Sequence, residues 1–230
     1  MIKKLLEDLI HTIFPDLCLA CSKLPKAAEA SFCVECLHKM PYTDHFIIKD
    51  NAVTNHLRGR INLVHGAAIL YFREGSFVRN MLHQLKYKGR REIGEVMGEI
   101  GARKMLESPF YNIPDIIVPV PVHPKKVRKR GYNQSTIFGL AVSQGTGIPF
   151  NDKIIIKSME SDSQTGKSRT DRVMNVSQVF EIAQKETLQN KHVLIVDDVI
   201  TTGATVEACC LKALEAGASK ISILCIAATA

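Results

Sequence analysis

Short apolar runs separated by helical patterns organise most of this chain. Val193-Leu194-Ile195-Val196 is apolar on both parities, which suits a parallel strand buried on both faces. Gly66 to Phe72 and stretches near 115–119, 153–157 and 220–227 read as further strands. Helical patterns lie at Phe77–Lys86, Glu92–Met105, about Asn133–Ser143 and Val206–Ala216, with Gly217 placed as a C-cap. Strands alternating with helices predict an α/β domain with a mostly parallel sheet flanked by helices. The stretch 42–62 is polar and weakly patterned, so a division into residues 1–50 and 51–230 is expected.

The first residues place Ile2, Leu5, Leu6, Leu9 and Ile13 on one helical face, with Glu7, Asp8 and His11 interrupting the apolar stretch. No small-residue cleavage site follows, which favours an amphipathic helix docked on the chain's own core over a signal peptide. No run is long and apolar enough to span a bilayer, and a cytoplasmic location is expected. The 230 residues are 46% hydrophobic, enough for a medium domain with a real core. Trp is absent and aromatics make up 6%, which argues against rows of base-stacking side chains. A formal charge of +7 fits a polyanionic ligand without choosing between a phosphorylated sugar and nucleic acid.

The buried run at 193–196 ends in Asp197-Asp198. Val199-Ile200 and the turn Thr201-Thr202-Gly203-Ala204-Thr205 follow, and then a helix opens. The first amides of a helix have no intrahelical partner and sit at the positive end of its dipole, so a phosphate is their natural ligand. Gly203 permits close approach and positive φ, and Thr201, Thr202 and Thr205 add hydroxyl donors. Asp197 and Asp198 would repel a phosphate. Acceptor-only carboxylates suit the two hydroxyls of a ribose, or a hard cation shared with it.

Cys18-x2-Cys21 and Cys33-x2-Cys36 are separated by eleven residues. Two such pairs read as a structural, four-thiolate zinc site with no open position. The odd total of 7 cysteines and the lack of an export signal oppose a pair of disulfides. A redox motif would need only one pair. His38 is expected to be exposed, and Cys209, Cys210 and Cys225 to be buried free thiols.

Asp115 to Pro121 reads as a strand entering a Pro-rigid loop, followed by Lys125-Lys126-Val127-Arg128-Lys129-Arg130. A loop leaving the carboxyl end of such a strand faces the ligand crevice. Lys125 and Arg130 are candidates there to offset the charge of an anionic ligand, which the resemblance given below implies is a departing pyrophosphate. Residues 158–175 are polar and too long for an ordinary connector; Gln164, Thr165, Gly166 and Arg172 mark this segment as a candidate lid, which the resemblance given below implies would keep water from a ribosyl cation.

The string Asp197 to Thr205 resembles the signature of type I phosphoribosyltransferases. Val118-Pro119-Val120-Pro121-Val122-His123-Pro124, Arg130-Gly131-Tyr132-Asn133-Gln134, Ser163-Gln164-Thr165-Gly166, Arg172 to Val176 and His83 to Gly89 together resemble the ComF-type competence proteins. One departure is that Lys157 is followed by Met159, Glu160 and Asp162, where members often carry more basic residues. The resemblance implies a type I phosphoribosyltransferase-like domain behind a small N-terminal zinc-ribbon-like module. It also implies phosphoribosyl pyrophosphate (PRPP) held at Asp197, Asp198 and the 201–205 turn, with Mg²⁺ accompanying the pyrophosphate. Two functions are expected from it. One is transfer of a phosphoribosyl group to a nitrogen acceptor with release of pyrophosphate, linked to DNA uptake. The other is a non-catalytic, PRPP-regulated protein that binds single-stranded DNA or docks competence-machinery proteins.

Overall fold

The computed structural model of the chain describes residues 17–23, 31–157 and 179–229. The candidate lid (Gln164, Thr165, Gly166 and Arg172) and the expected helix over residues 2–14 lie outside the described residues. In chain order the elements are α1 (Val34–His38), α2 (Ala52–Leu57), β1 (Leu63–Phe72), α3 (Phe77–Tyr87), α4 (Glu92–Glu107), β2 (Ile116–Pro119), α5 (Pro124–Arg130) and α6 (Gln134–Thr146). Then come β3 (Ile155–Lys157), β4 (Phe180–Ile182), β5 (His192–Ile200), α7 (Ala204–Glu215) and β6 (Lys220–Thr229).

Four strands form a parallel sheet in the order β1-β6-β5-β2. Its strands are apolar on both parities because both faces are covered. Leu194 and Val196 of β5 face a cluster with Met81, Leu85, Met97 and Phe138, supplied by α3, α4 and α6. Val193 and Ile195 face the other cluster, with Val53, Phe180, Val206 and Cys209 from α2, β4 and α7. Helices α4 and α6 approach closely at Gly98, where an added Cβ would lie 2.4 Å from that of Ala141. Cys209, Cys210 and Cys225 are buried free thiols, and His38 is exposed.

Three elements differ from the sequence reading. The stretch near 153–157 does not join the parallel sheet; its β3 pairs antiparallel with β4, from which it is separated by 22 residues in sequence. The polar stretch 42–62 contains α2, opened by a capping box in which Asn51 accepts from the Thr54 amide and the Thr54 hydroxyl accepts from the Asn51 amide. Residues 41–43 also pair along the free edge of β1, through the Thr43 amide to Ile69 and the Tyr71 amide to Pro41. The basic run after β2 is the helix α5 rather than a loop. His123 Nδ1 accepts from the Lys125 amide 3.2 Å away, Pro124 occupies the first turn, and Gly131 caps the end at φ +83°.

Among the described residues no helix is long and apolar enough to cross a membrane.

Candidate functional site

Strand β5 runs past the end of β2. The last link between them is the Val120 amide donating to Val196 O at 2.9 Å. Asp197 and Asp198 follow at once, so they stand in the crevice at the carboxyl ends of the parallel strands, where ligands of open α/β sheets bind. A cavity of about 130 Å³ opens there. Its charged and hydroxyl lining comprises Lys86, Lys126, Arg130, Ser135, Lys157, both aspartates and Thr205.

The acid pair is buried: Asp197 is 9% exposed and Asp198 7%. Asp197 Oδ1 accepts from the Ser135 hydroxyl at 2.9 Å and from the Asp198 amide at 2.8 Å. Asp198 Oδ2 faces the Lys86 ammonium at 3.0 Å. Burial, and then the neighbouring charge of Asp198, raise the Asp197 carboxyl to about 7 against the donors that hold its charge. Lys157 on β3 is shifted the other way, downward, by burial and then by the charge of Lys126. Two acids are therefore ringed by cations that are partly desolvated. Such a cup suits a ligand that carries both hydroxyls and anionic oxygens.

The turn after β5 leads into Thr205 at the cavity. Gly203 adopts φ +77° and, having no side chain, offers α7 no cap of its own; the Ala204 amide reaches Thr202 Oγ1 at 3.5 Å, and the next amides of the first turn belong to the end of the helix that favours an anion. Thr201, Thr202 and Thr205 are exposed. The turn is held from behind: the Thr229 hydroxyl donates to Thr201 O at 2.9 Å. Helix α2 roofs it, since a Cβ on Gly203 would lie 3.2 Å from that of His56. Glu207, 3% exposed in the first turn of α7, is neutralised by an ion pair with Arg60.

Of the residues that sequence reasoning nominated, the structure brings Asp197, Asp198, Thr205 and Arg130 to one cavity; Thr201 to Ala204 form the turn that leads into Thr205 and are not part of the lining. On α5 the positions lining the cavity are Lys126 and Arg130, one turn apart, whereas Lys125 is exposed one position away. Arg130 is fixed by Gln134 Oε1 at 2.9 Å and by the Tyr87 hydroxyl at 3.1 Å, with its guanidinium 4.9 Å from the Tyr87 ring centre. Lys86, Lys126, Lys157 and Ser135 line the cavity but were not nominated. A lysine in a helical repeat and a serine in the first turn of a helix carry no local signal of a site; only the fold collects them.

A second cluster gathers the four N-terminal cysteines. The sulfurs of Cys18, Cys21, Cys33 and Cys36 all lie within 4.8 Å of one another. A zinc tetrahedron with bonds of ~2.3 Å has sulfur–sulfur edges of about 3.8 Å, which this cluster fits with small movements. Cys18 Sγ accepts from the Ala20 amide at 3.4 Å and Cys33 Sγ from the Cys36 amide at 3.5 Å. Burial would raise Cys18, but hydrogen bonds from the Cys21, Cys33 and Ala20 amides outweigh it and bring the thiol down to about 7. Burial and the Cys33 thiol push Cys36 up. A cation among them would replace the protons.

Residues 127–230 match the phosphoribosyl transferase domain family. The chain is similar to the DNA utilization protein YhgH of Salmonella typhimurium strain LT2, 29% identical over 152 residues, covering 65% of this chain and 66% of the relative. It is also similar to competence protein F of Haemophilus influenzae, at 35% over 94 residues, 40% of this chain and 41% of the relative. With competence protein ComFC of Bacillus subtilis it shares 22% identity over 206 residues, 87% of this chain and 78% of that one.

Proposed function

We propose that the chain is a ComF-type protein, as its phosphoribosyl transferase domain match, its competence-protein relatives and its four-cysteine cluster support, and that it binds PRPP and transfers the phosphoribosyl group to a nitrogen acceptor. The observation that carries this reading is the shared cavity. A buried acid pair, four cations and the start of α7 converge on one space. The amides of the Gly203 turn and the Thr hydroxyls would take the 5′-phosphate. Asp197 and Asp198 would accept from the ribose hydroxyls and spread the positive charge that develops on the ring. Lys126 and Arg130 would face the pyrophosphate. Mg²⁺ carried with PRPP would supply further positive charge to the leaving group. A bond forms between C1 and the acceptor nitrogen as the C1–O bond breaks; pyrophosphate leaves with the electron pair, and the nitrogen's proton is lost to water. Candidate-lid residues Gln164, Thr165, Gly166 and Arg172 belong to this reading as a cover against water.

The reading places zinc at Cys18, Cys21, Cys33 and Cys36 as a structural ion. A cytoplasmic setting would keep the seven cysteines reduced. In the Asp197→Asn, Asp198→Asn double variant, calorimetry should show no PRPP binding while circular dichroism keeps the wild-type spectrum. Unchanged affinity would sink the proposal. Incubating PRPP with a panel of bases and amines, and following pyrophosphate release, searches for the acceptor.

A second reading rests on α5, which has no buried residue and shows Lys125, Lys126, Arg128, Lys129 and Arg130 beside the half-exposed Tyr87. The names of the relatives concern competence and DNA utilization. This face would contact the phosphates of single-stranded DNA, with PRPP as a regulatory ligand. Binding should then weaken steeply with salt, its slope falling when Lys125 and Arg128 are replaced by Gln. No binding at low salt removes this reading.

A further inference from the structure

Helix α3 lies between the cysteine knuckle and the aspartate cavity, and its last turn is fastened to both. On the knuckle side, Gln84 is 8% exposed; its Oε1 accepts from the Ser22 hydroxyl at 2.7 Å and its Nε2 donates to Ala20 O at 3.5 Å. Asn80, one turn earlier, donates to the same carbonyl at 3.4 Å. Ala20 and Ser22 flank Cys21, so these bonds tie the helix to the loop that carries two of the four thiols. On the cavity side, Lys86 meets Asp198, and Tyr87 accepts from Arg130. Residues two apart on an α-helix point about 200° apart. Gln84 and Lys86 therefore project to opposite sides of one rigid turn, whose Leu85 between them is fully buried and whose Leu85 carbonyl accepts from the Tyr132 hydroxyl.

We infer that Lys86 is a ligand-binding residue of the aspartate cavity and that Gln84 positions it from the cysteine knuckle. A free lysine side chain loses rotamer entropy when it is held in one place, and a fixed helix end reduces that loss at its root. The Lys86 ammonium neutralises Asp198 at 3.0 Å, which lowers the repulsion between the two acids. When an anionic sugar ester arrives, the ammonium turns to its phosphate oxygens and leaves Asp198 to the hydroxyls. The ligand assigned to Lys86 rests on the ribose-phosphate reading of the cavity; the positioning by Gln84 rests on the bonds of α3.

Two measurements on the full chain separate these parts. Limiting acetylation followed by peptide mass spectrometry reads the reactivity of Lys86 without any ligand. Lys86 is expected to be protected in the wild type and several-fold more reactive in Gln84→Ala and in Asp198→Asn, with zinc content measured in parallel. Gln84→Met, close in volume, serves if the alanine variant unfolds. Calorimetry with PRPP and Mg²⁺ is expected to show a loss of about tenfold or more in Lys86→Met, partly rescued in Lys86→Arg. Gln84→Ala should weaken binding about fivefold in the wild-type background and not at all in Lys86→Met. Unchanged Lys86 reactivity in both Gln84 variants, or a Gln84 effect that persists in Lys86→Met, overturns the positioning role. Wild-type protein that fails to bind PRPP while Gln84→Ala still unmasks Lys86 overturns the ligand and supports the positioning.

Discussion

Asp197 shows what a buried carboxylate costs its own protein. Burial and the adjacent Asp198 raise it to about 7, above its ordinary 3.8. The folded chain thus holds a proton that the unfolded chain releases between about pH 4 and 7. The contribution of this group to stability is fully present below about pH 4 and is lost as pH rises through 7. Asp197→Asn keeps the size and the acceptor for Ser135 while removing the charge. It should match the wild type in chemical denaturation at pH 3.5 and exceed it at pH 8 by on the order of 2 kcal/mol, while losing PRPP. A variant no more stable than the wild type at pH 8 would show that the acid is not strained. The carboxylate was legible in the sequence because its neighbours are so apolar. The cost was not, because it is set by how deeply the fold buries the carboxyl, and it is only partly offset by Ser135 and Lys86, which lie 62 and 111 residues away in the chain.

At the scale of elements, the sequence is most readable where one physical demand dominates. Strand β5 is buried on seven of its first seven positions, so apolarity on both parities marked it without ambiguity. The turn after it needs Gly203 at φ +77°, and only glycine takes that conformation without strain. Helix α5 had no such mark. It buries nothing, so no apolar stripe betrays it, and it is set by Pro124 and His123 at one end and Gly131 at the other. Helix α2 is six residues long and owes its start to the Asn51–Thr54 exchange, hidden in a stretch that reads as polar filler. Pairing of β3 with β4 was illegible for another reason: a three-residue strand has too few positions to specify a partner, and that partner comes later in the chain than any hairpin loop would put it.

At the scale of the whole molecule, the question is whether the cysteine knuckle stands alone. Sequence spacing marked its ligands, and a change in composition suggested a border near residue 50. Yet Cys18, Leu19, Phe32 and Cys36 share one apolar cluster with Met81 and Leu85 of α3, Ile69 of β1 and Leu224 of β6. The knuckle covers the outer side of α3 and has no separate core among the described residues. Structural zinc binds with a free energy that is also folding free energy. On the proposal that zinc fills the cysteine cluster, its removal should therefore be felt across the sheet and not only within the knuckle. Scanning calorimetry with and without 1,10-phenanthroline should give one transition in both cases, lower by ~5 °C or more in the chelator and restored by added zinc. A small early transition lost to the chelator beside an unmoved main one would instead make residues 1–50 an autonomous unit. It would also leave α3, and Lys86 with it, anchored by the sheet alone.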